Sequence, residues 1–188
     1  MQIVLASSSP RRQELLRQVG LSFVVDPSDV DEQVSGPVTP GELVEQLALR
    51  KARAVAVRHP GEPVLGADTI VVIDGEVLGK PSDREQAVAM LERLSGRTHQ
   101  VMTGVALIQG DREIVSHEET NVRFAPLTRE QIHWYVETGE PVDKAGAYGI
   151  QGHAAALIES ISGDYFTVVG LPLFRTVQML SQIGYPVF

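Results

Sequence analysis

Residues 63–81 read "PVLGADTIVVIDGEVLGKP", and this stretch decides the fold. Two β-rich arms flank Asp74-Gly75, and an Asp-Gly pair supplies the backbone conformations of a tight hairpin turn. The arms therefore pair antiparallel. Upstream the order is different: "QIVLA" (2–6) is a short buried strand, an amphipathic helix follows to Gly20, and "LSFVVD" (21–26) is a second strand. Strand–helix–strand units favour parallel pairing and hairpins antiparallel pairing. The expected fold is α/β, a mixed sheet flanked by helices.

Capping signals set the remaining elements. Thr39, Pro40 and Glu42 form a boxed helix start, and Leu43, Val44, Leu47, Ala48, Ala54 and Val55 keep one face apolar to about residue 58. "SDRE" (82–85) opens a helix through Leu94, stopped near Gly96. Two long strands follow around Gly110-Asp111, and Thr128 with Gln131 starts a helix that ends at Gly139. After the glycine-rich "DKAGAYGIQGHAAA" (143–156) come a strand "ALIESI", a turn "SGDY" and a last helix from about Pro172 to Ile183. No internal repeat or linker interrupts this order, so residues 1–188 read as a single domain.

The chain has 188 residues, 43% of them hydrophobic, enough for a sizeable core. No apolar run reaches the ~18 residues of a membrane span, and the N-terminus lacks a basic, then apolar, leader. The expectation is a soluble cytoplasmic protein that binds no membrane. With no cysteine, disulfides, thiolate zinc sites and cysteine nucleophiles are excluded. A net charge of −8 argues against non-specific nucleic-acid binding. A local basic pocket for a small anion remains compatible with it.

Two places break local rules. In "LASSSPRRQELL" (5–16), Ser9 is the N-cap and Pro10 the first helical residue, which puts Arg11 and Arg12 at the positive end of the helix dipole. A phosphate there would resolve the conflict through backbone N–H groups, serine hydroxyls and forked guanidiniums; the alternative is two solvated arginines. The second is Asp68, a carboxylate inside a β-branched run. Gly66 and Ala67 read as open space through which a ligand or hydrated cation approaches it; alternatively Asp68 caps a turn or pairs with a lysine. Lys51, Lys80 and Lys144 are candidates to join it. An acidic protein that concentrates cations around one carboxylate suits a polyphosphate and a divalent metal.

"LASSSPRRQELL", "VDE" (30–32), "LGADTIVV", "GKP", "LSGRTHQVMTGVAL", "KAGAYGIQG" and "SGDYFTVVGLPL" resemble, in order and along nearly the whole chain, the Maf family of nucleoside triphosphate pyrophosphatases. The resemblance implies a fold similar to the inosine triphosphate pyrophosphatases, with two lobes and a central cleft. It implies hydrolysis of a nucleoside triphosphate to monophosphate and pyrophosphate, with Mg²⁺ or Mn²⁺ held by Glu32 and Asp68. By the same resemblance Asp68, Lys51 and Lys80 are catalytic, and Ser7, Arg11, Arg12, Thr69, Lys144 and Gln151 bind substrate. Arg11, Thr69 and Gln151 match the branch acting on dTTP and UTP. The alternatives are the 7-methyl-GTP branch and a non-catalytic regulator of septum formation; a homodimer is the family expectation.

Overall fold

The computed structural model describes residues 1–188. The chain begins with β1 (Ile3–Leu5), α1 (Pro10–Gln18), β2 (Phe23–Val25), α2 (Pro40–Ala56), β3 (Val64–Ile73), β4 (Glu76–Leu78) and α3 (Arg84–Leu94). It continues with β5 (Thr98–Gln109), β6 (Arg112–Phe124), α4 (Arg129–Glu137), three short 3-10 turns, β7 (Ile158–Ser162), α5 (Tyr165–Val169) and α6 (Leu173–Gln182). All seven strands form one sheet in the order β2-β1-β3-β5-β6-β7, with β4 paired to β3. β1 is parallel to β2 and β3, whereas β3–β4 and β6–β7 are antiparallel, so the sheet is mixed as expected. Asp74 (φ 53) and Gly75 (φ 76) both take the left-handed conformation that the β3–β4 turn demands. No helix is long and apolar enough to cross a membrane.

The chain divides into two compact units. Unit 1 comprises Met1–Thr69, Thr103–Glu118 and Gly170–Phe188; unit 2 comprises Ile70–Met102 and Glu119–Val169. Unit 1 holds a core of small side chains, Val4, Ala6, Ala48, Ala52, Val55, Val64, Ala106 and Ile108. Small residues let helix and sheet approach closely. A Cβ on Gly66 would lie 2.4 Å from the Ala48 carbonyl oxygen, and one on Gly104 would lie 2.2 Å from that of Val44. The space beside Gly66 is therefore filled by the backbone of α2, and the sequence expectation of open room for a ligand there is corrected. Unit 2 has larger fillers, among them Leu91, Leu94, Phe124, Ile132 and Tyr135, each fully burying about 1.5–3 kcal/mol worth of apolar side chain.

Three local readings also change. The N-cap of α3 is Asp83, whose carboxylate accepts the Gln86 N–H at 2.7 Å, one residue later than the "SDRE" reading placed it. The glycine-rich stretch 143–156, to which the sequence assigned no element, carries short 3-10 turns at Ala145–Ala147 and His153–Ala156, preceded by one at Glu140–Asp143. Finally, α5 occupies "YFTVV", whose β-branched residues hide a helix; Asp164 nucleates it by accepting both the Thr167 N–H and hydroxyl at 2.7 Å.

Candidate active site

In unit 1, Ser9 caps α1 through its Oγ, which accepts the Arg12 N–H at 3.4 Å, and Pro10 takes the first helical position. Arg12 then turns back over the preceding loop. Its Nε donates to the Gly170 carbonyl at 2.8 Å, Nη1 to Ser7 Oγ at 3.3 Å and Nη2 to Thr69 Oγ1 at 3.1 Å. Thr69 is itself fixed by Thr103, its hydroxyl 2.9 Å from that of the fully buried threonine. Every one of these acceptors is neutral, and Arg12 makes no ion pair. Burial lowers the guanidinium below its ordinary range, Asp68 and Glu32 pull it back up, and Arg11 adds to the lowering. Arg12 is thus a forked cation whose direct hydrogen bonds all go to uncharged oxygens, with the Asp68 and Glu32 charges acting on it from farther off.

Lys51, on α2, lies over Asp68 of β3. Its Nζ donates to Asp68 Oδ1 at 2.6 Å and meets Glu32 Oε1 at 2.8 Å. The side chains of Lys51 and Asp68 are 13% and 11% exposed, so that pair is largely desolvated, whereas Glu32 at 63% remains in water. The first contact is the stronger constraint; the second is screened. The helix backbone pressed against Gly66 and Gly104 sets the height of Lys51 above the strand. Asp68 and Thr69, adjacent on β3, thus serve different partners: the first takes Lys51, the second Arg12 and Thr103.

Of the residues singled out from sequence, Ser7, Arg12, Thr69, Lys51, Glu32 and Asp68 are brought together in unit 1 by these contacts. Arg11 is half-buried beside Arg12. Lys80, Lys144 and Gln151 belong to unit 2. Lys80 and Gln151 are exposed there, while Lys144 Nζ is engaged by the Glu140 carbonyl at 2.9 Å and Asp143 Oδ1 at 3.0 Å. The sequence reading did not single out Thr103 or Gly170. The only trace of Gly170 is its glycine identity, required by φ 132.

A family model described as "Maf-like protein" matches residues 2–183. The chain belongs to the Maf-like family. This Maf-like protein is 75% identical over 187 residues to a dTTP/UTP pyrophosphatase of Symbiobacterium thermophilum, covering 100% of this chain and 96% of the relative. It is 55% identical over 188 residues to a dTTP/UTP pyrophosphatase of Moorella thermoacetica, covering 99% and 97% of the two chains. Among solved structures, a HAM1 protein from Coxiella burnetii superposes with a TM-score of 0.56 at 19% identity, covering 97% of this chain and 99% of that one. That likeness concerns the fold alone.

Proposed function

We propose that this Maf-like protein hydrolyses dTTP and UTP to the nucleoside monophosphate and pyrophosphate. The observation that carries the reading is Arg12, a guanidinium aimed by neutral oxygens and lacking an anionic partner, beside the desolvated Lys51–Asp68 pair. The relatives named dTTP/UTP pyrophosphatases support it. In this reading Ser7, Arg11 and Arg12 receive phosphate oxygens, and the dipole of α1 adds to their pull. Asp68 orients a water and accepts its proton as the oxygen attacks the α-phosphorus. The bond from that phosphorus to the β-bridging oxygen breaks, and the pyrophosphate carries the electron pair away. Lys51 holds the Asp68 carboxylate in place for this step, and Lys80 and Lys144 neutralise the departing phosphates. Lys144 would have to leave Asp143 to do so.

Glu32 and Asp68 are the residues that would hold a divalent cation. Their oxygens already converge on one positive atom, Lys51 Nζ, at 2.8 and 2.6 Å. No three His, Asp or Glu side chains gather into a closed cage. Two carboxylates, one of them open to water, suit Mg²⁺ or Mn²⁺, which keep several waters and when bound would polarise the phosphates. Gln151 is assigned to the base edge. Its amide offers one donor face and one acceptor, matching the N3–H and carbonyl that uracil and thymine share. The net charge of −8 weighs against a nucleic acid as partner, and the cysteine-free composition is in keeping with a cytoplasmic enzyme.

The test is pyrophosphate release from UTP, dTTP, CTP and 7-methyl-GTP, with and without Mg²⁺ or Mn²⁺. The reading expects UTP and dTTP to turn over in the presence of metal and CTP to be poor. Preference for 7-methyl-GTP would overturn the pyrimidine assignment, and turnover of none would leave only the regulatory alternative.

A further inference from the structure

The turn that carries Gln151 is tied down on both sides by two side chains of unit 2 outside the expected catalytic set. On one side, Tyr135 of α4 accepts the Gly149 N–H at 3.1 Å through its phenol oxygen. Tyr135 is fully buried, which pushes its hydroxyl well above the usual range and keeps it a neutral donor. On the other side, the Glu140 carboxylate accepts the His153 N–H at 2.9 and 3.1 Å and also engages the His153 ring Nδ1. The phenol and that same carboxylate influence each other's ionisation, so the two anchors are coupled. Burial raises Glu140, but the hydrogen bonds from His153, helped by the nearby Tyr135 phenol, outweigh it and hold the carboxylate below its usual range.

Local geometry leaves this network little slack. Gly139 (φ 78) reverses the chain after α4 and brings Glu140 back beneath the turn. A Cβ at Gly152 would lie 2.4 Å from Glu140 Oε1, so the backbone rests directly on the carboxylate. Gln151 itself is exposed and its side chain has none of this support; its backbone is held two residues before and two residues after it.

We propose that Tyr135 and Glu140 are positioning residues for base choice: they set where the Gln151 amide stands, and so how sharply uracil and thymine are separated from cytosine. The inference rests on the reading that Gln151 faces the base. Directional hydrogen bonds lose selectivity when displaced by even about 1 Å, whereas phosphate contacts from long cations tolerate it.

The experiment measures kcat/KM for UTP, dTTP and CTP in wild type, Tyr135→Phe, Glu140→Ala, Glu140→Gln, Gly152→Ala and Gln151→Ala, alongside thermal melting. Tyr135→Phe keeps the buried ring and removes only the hydroxyl. It should lower UTP and dTTP about tenfold while CTP stays within about twofold. Glu140→Ala should do the same and Glu140→Gln, which keeps an acceptor for the His153 N–H, should recover part of the loss. Gly152→Ala disturbs the network from the exposed side and gives a second route should a core variant fail to fold. Equal loss on all three nucleotides, tracking melting temperature, would make the network merely structural and overturn the proposal. If Gln151→Ala levels the preference and the Tyr135, Glu140 and Gly152 variants do not, the positioning role alone is wrong. If Gln151→Ala leaves the preference intact, base reading by Gln151 is wrong and the positioning proposal falls with it.

Discussion

The two polar clusters are held in opposite ways. In unit 1, Lys51 holds both Asp68 and Glu32 by charge, and Arg12 donates its hydrogen bonds to neutral oxygens. In unit 2, the Gln151 turn is held through backbone N–H groups bonded to Tyr135 and Glu140. Ion pairs can exchange one partner for another of like charge, so the first cluster can give up a contact to a phosphate or a cation. Bonds to the main chain cannot be exchanged without moving the chain. The first arrangement suits charge developing in a reaction; the second suits reading a fixed edge.

The strongest break of that contrast is Asp68→Asn. It preserves shape while removing charge and basicity, so turnover should fall at least about a hundredfold on every nucleotide, within the range expected for losing a general base. The fold should persist, because Lys51 keeps Glu32 as a partner at 2.8 Å. Steady-state pyrophosphate release and a melting curve check both halves. Near-normal turnover would remove Asp68 from the chemistry.

Gly66→Ala attacks the same pair from behind. The new methyl would meet the Ala48 carbonyl at 2.4 Å, so α2 must shift, at about 1–3 kcal/mol of stability, and Lys51 moves with it. Denaturant unfolding measures the first effect, and a drop in kcat beyond that of destabilised but distant core variants measures the second. Arg12→Lys should lower kcat/KM about tenfold, since one ammonium cannot reproduce three bonds diverging to Ser7, Thr69 and Gly170. The lysine keeps the charge at the start of α1 but leaves some of these acceptors without a donor, so the melting temperature should fall modestly, by the equivalent of about 1 kcal/mol.

The smallest effect belongs to unit 2 and to pH. His99 is fully buried, its Nε2 lies 2.6 Å from the Tyr148 hydroxyl and its Nδ1 has no partner. Burial pushes its pKa down to about 4. The unfolded chain therefore binds the proton first, so stability present above pH 6.5 is lost as pH falls toward 4. The loss should reach only about 1 kcal/mol by pH 6, and His99→Gln should flatten the slope of melting temperature against pH in that window.

Much of this was legible in residues 63–81. The Asp-Gly turn and the flanking strand–helix–strand pattern are local signals, and they specified a mixed sheet without any tertiary contact. The misplacement of Arg11 and Arg12 was equally local, and the structure answers it by turning Arg12 toward Ser7, Thr69 and Gly170. What the sequence could not disclose depends on long-range contact. Gly66 reads as open space, yet the chain some 18 residues earlier fills it, and no local pattern distinguishes a glycine cleared for a ligand from one cleared for a helix. The Tyr135–Glu140 network escaped for the same reason. Tyr135 looks like helix core, and only the reversal at Gly139 lets one side chain from each side of it grip the Gln151 turn.

The most direct test of the separate roles proposed for Asp68 and Gln151 is the ratio of kcat/KM for UTP to that for CTP in Asp68→Asn and Gln151→Glu, measured side by side with wild type. The account predicts that Asp68→Asn lowers both values and leaves the ratio unchanged. Gln151→Glu should lower the UTP value and collapse the ratio, because a carboxylate opposes a pyrimidine carbonyl. A ratio that changes with Asp68→Asn, or survives Gln151→Glu, would contradict it.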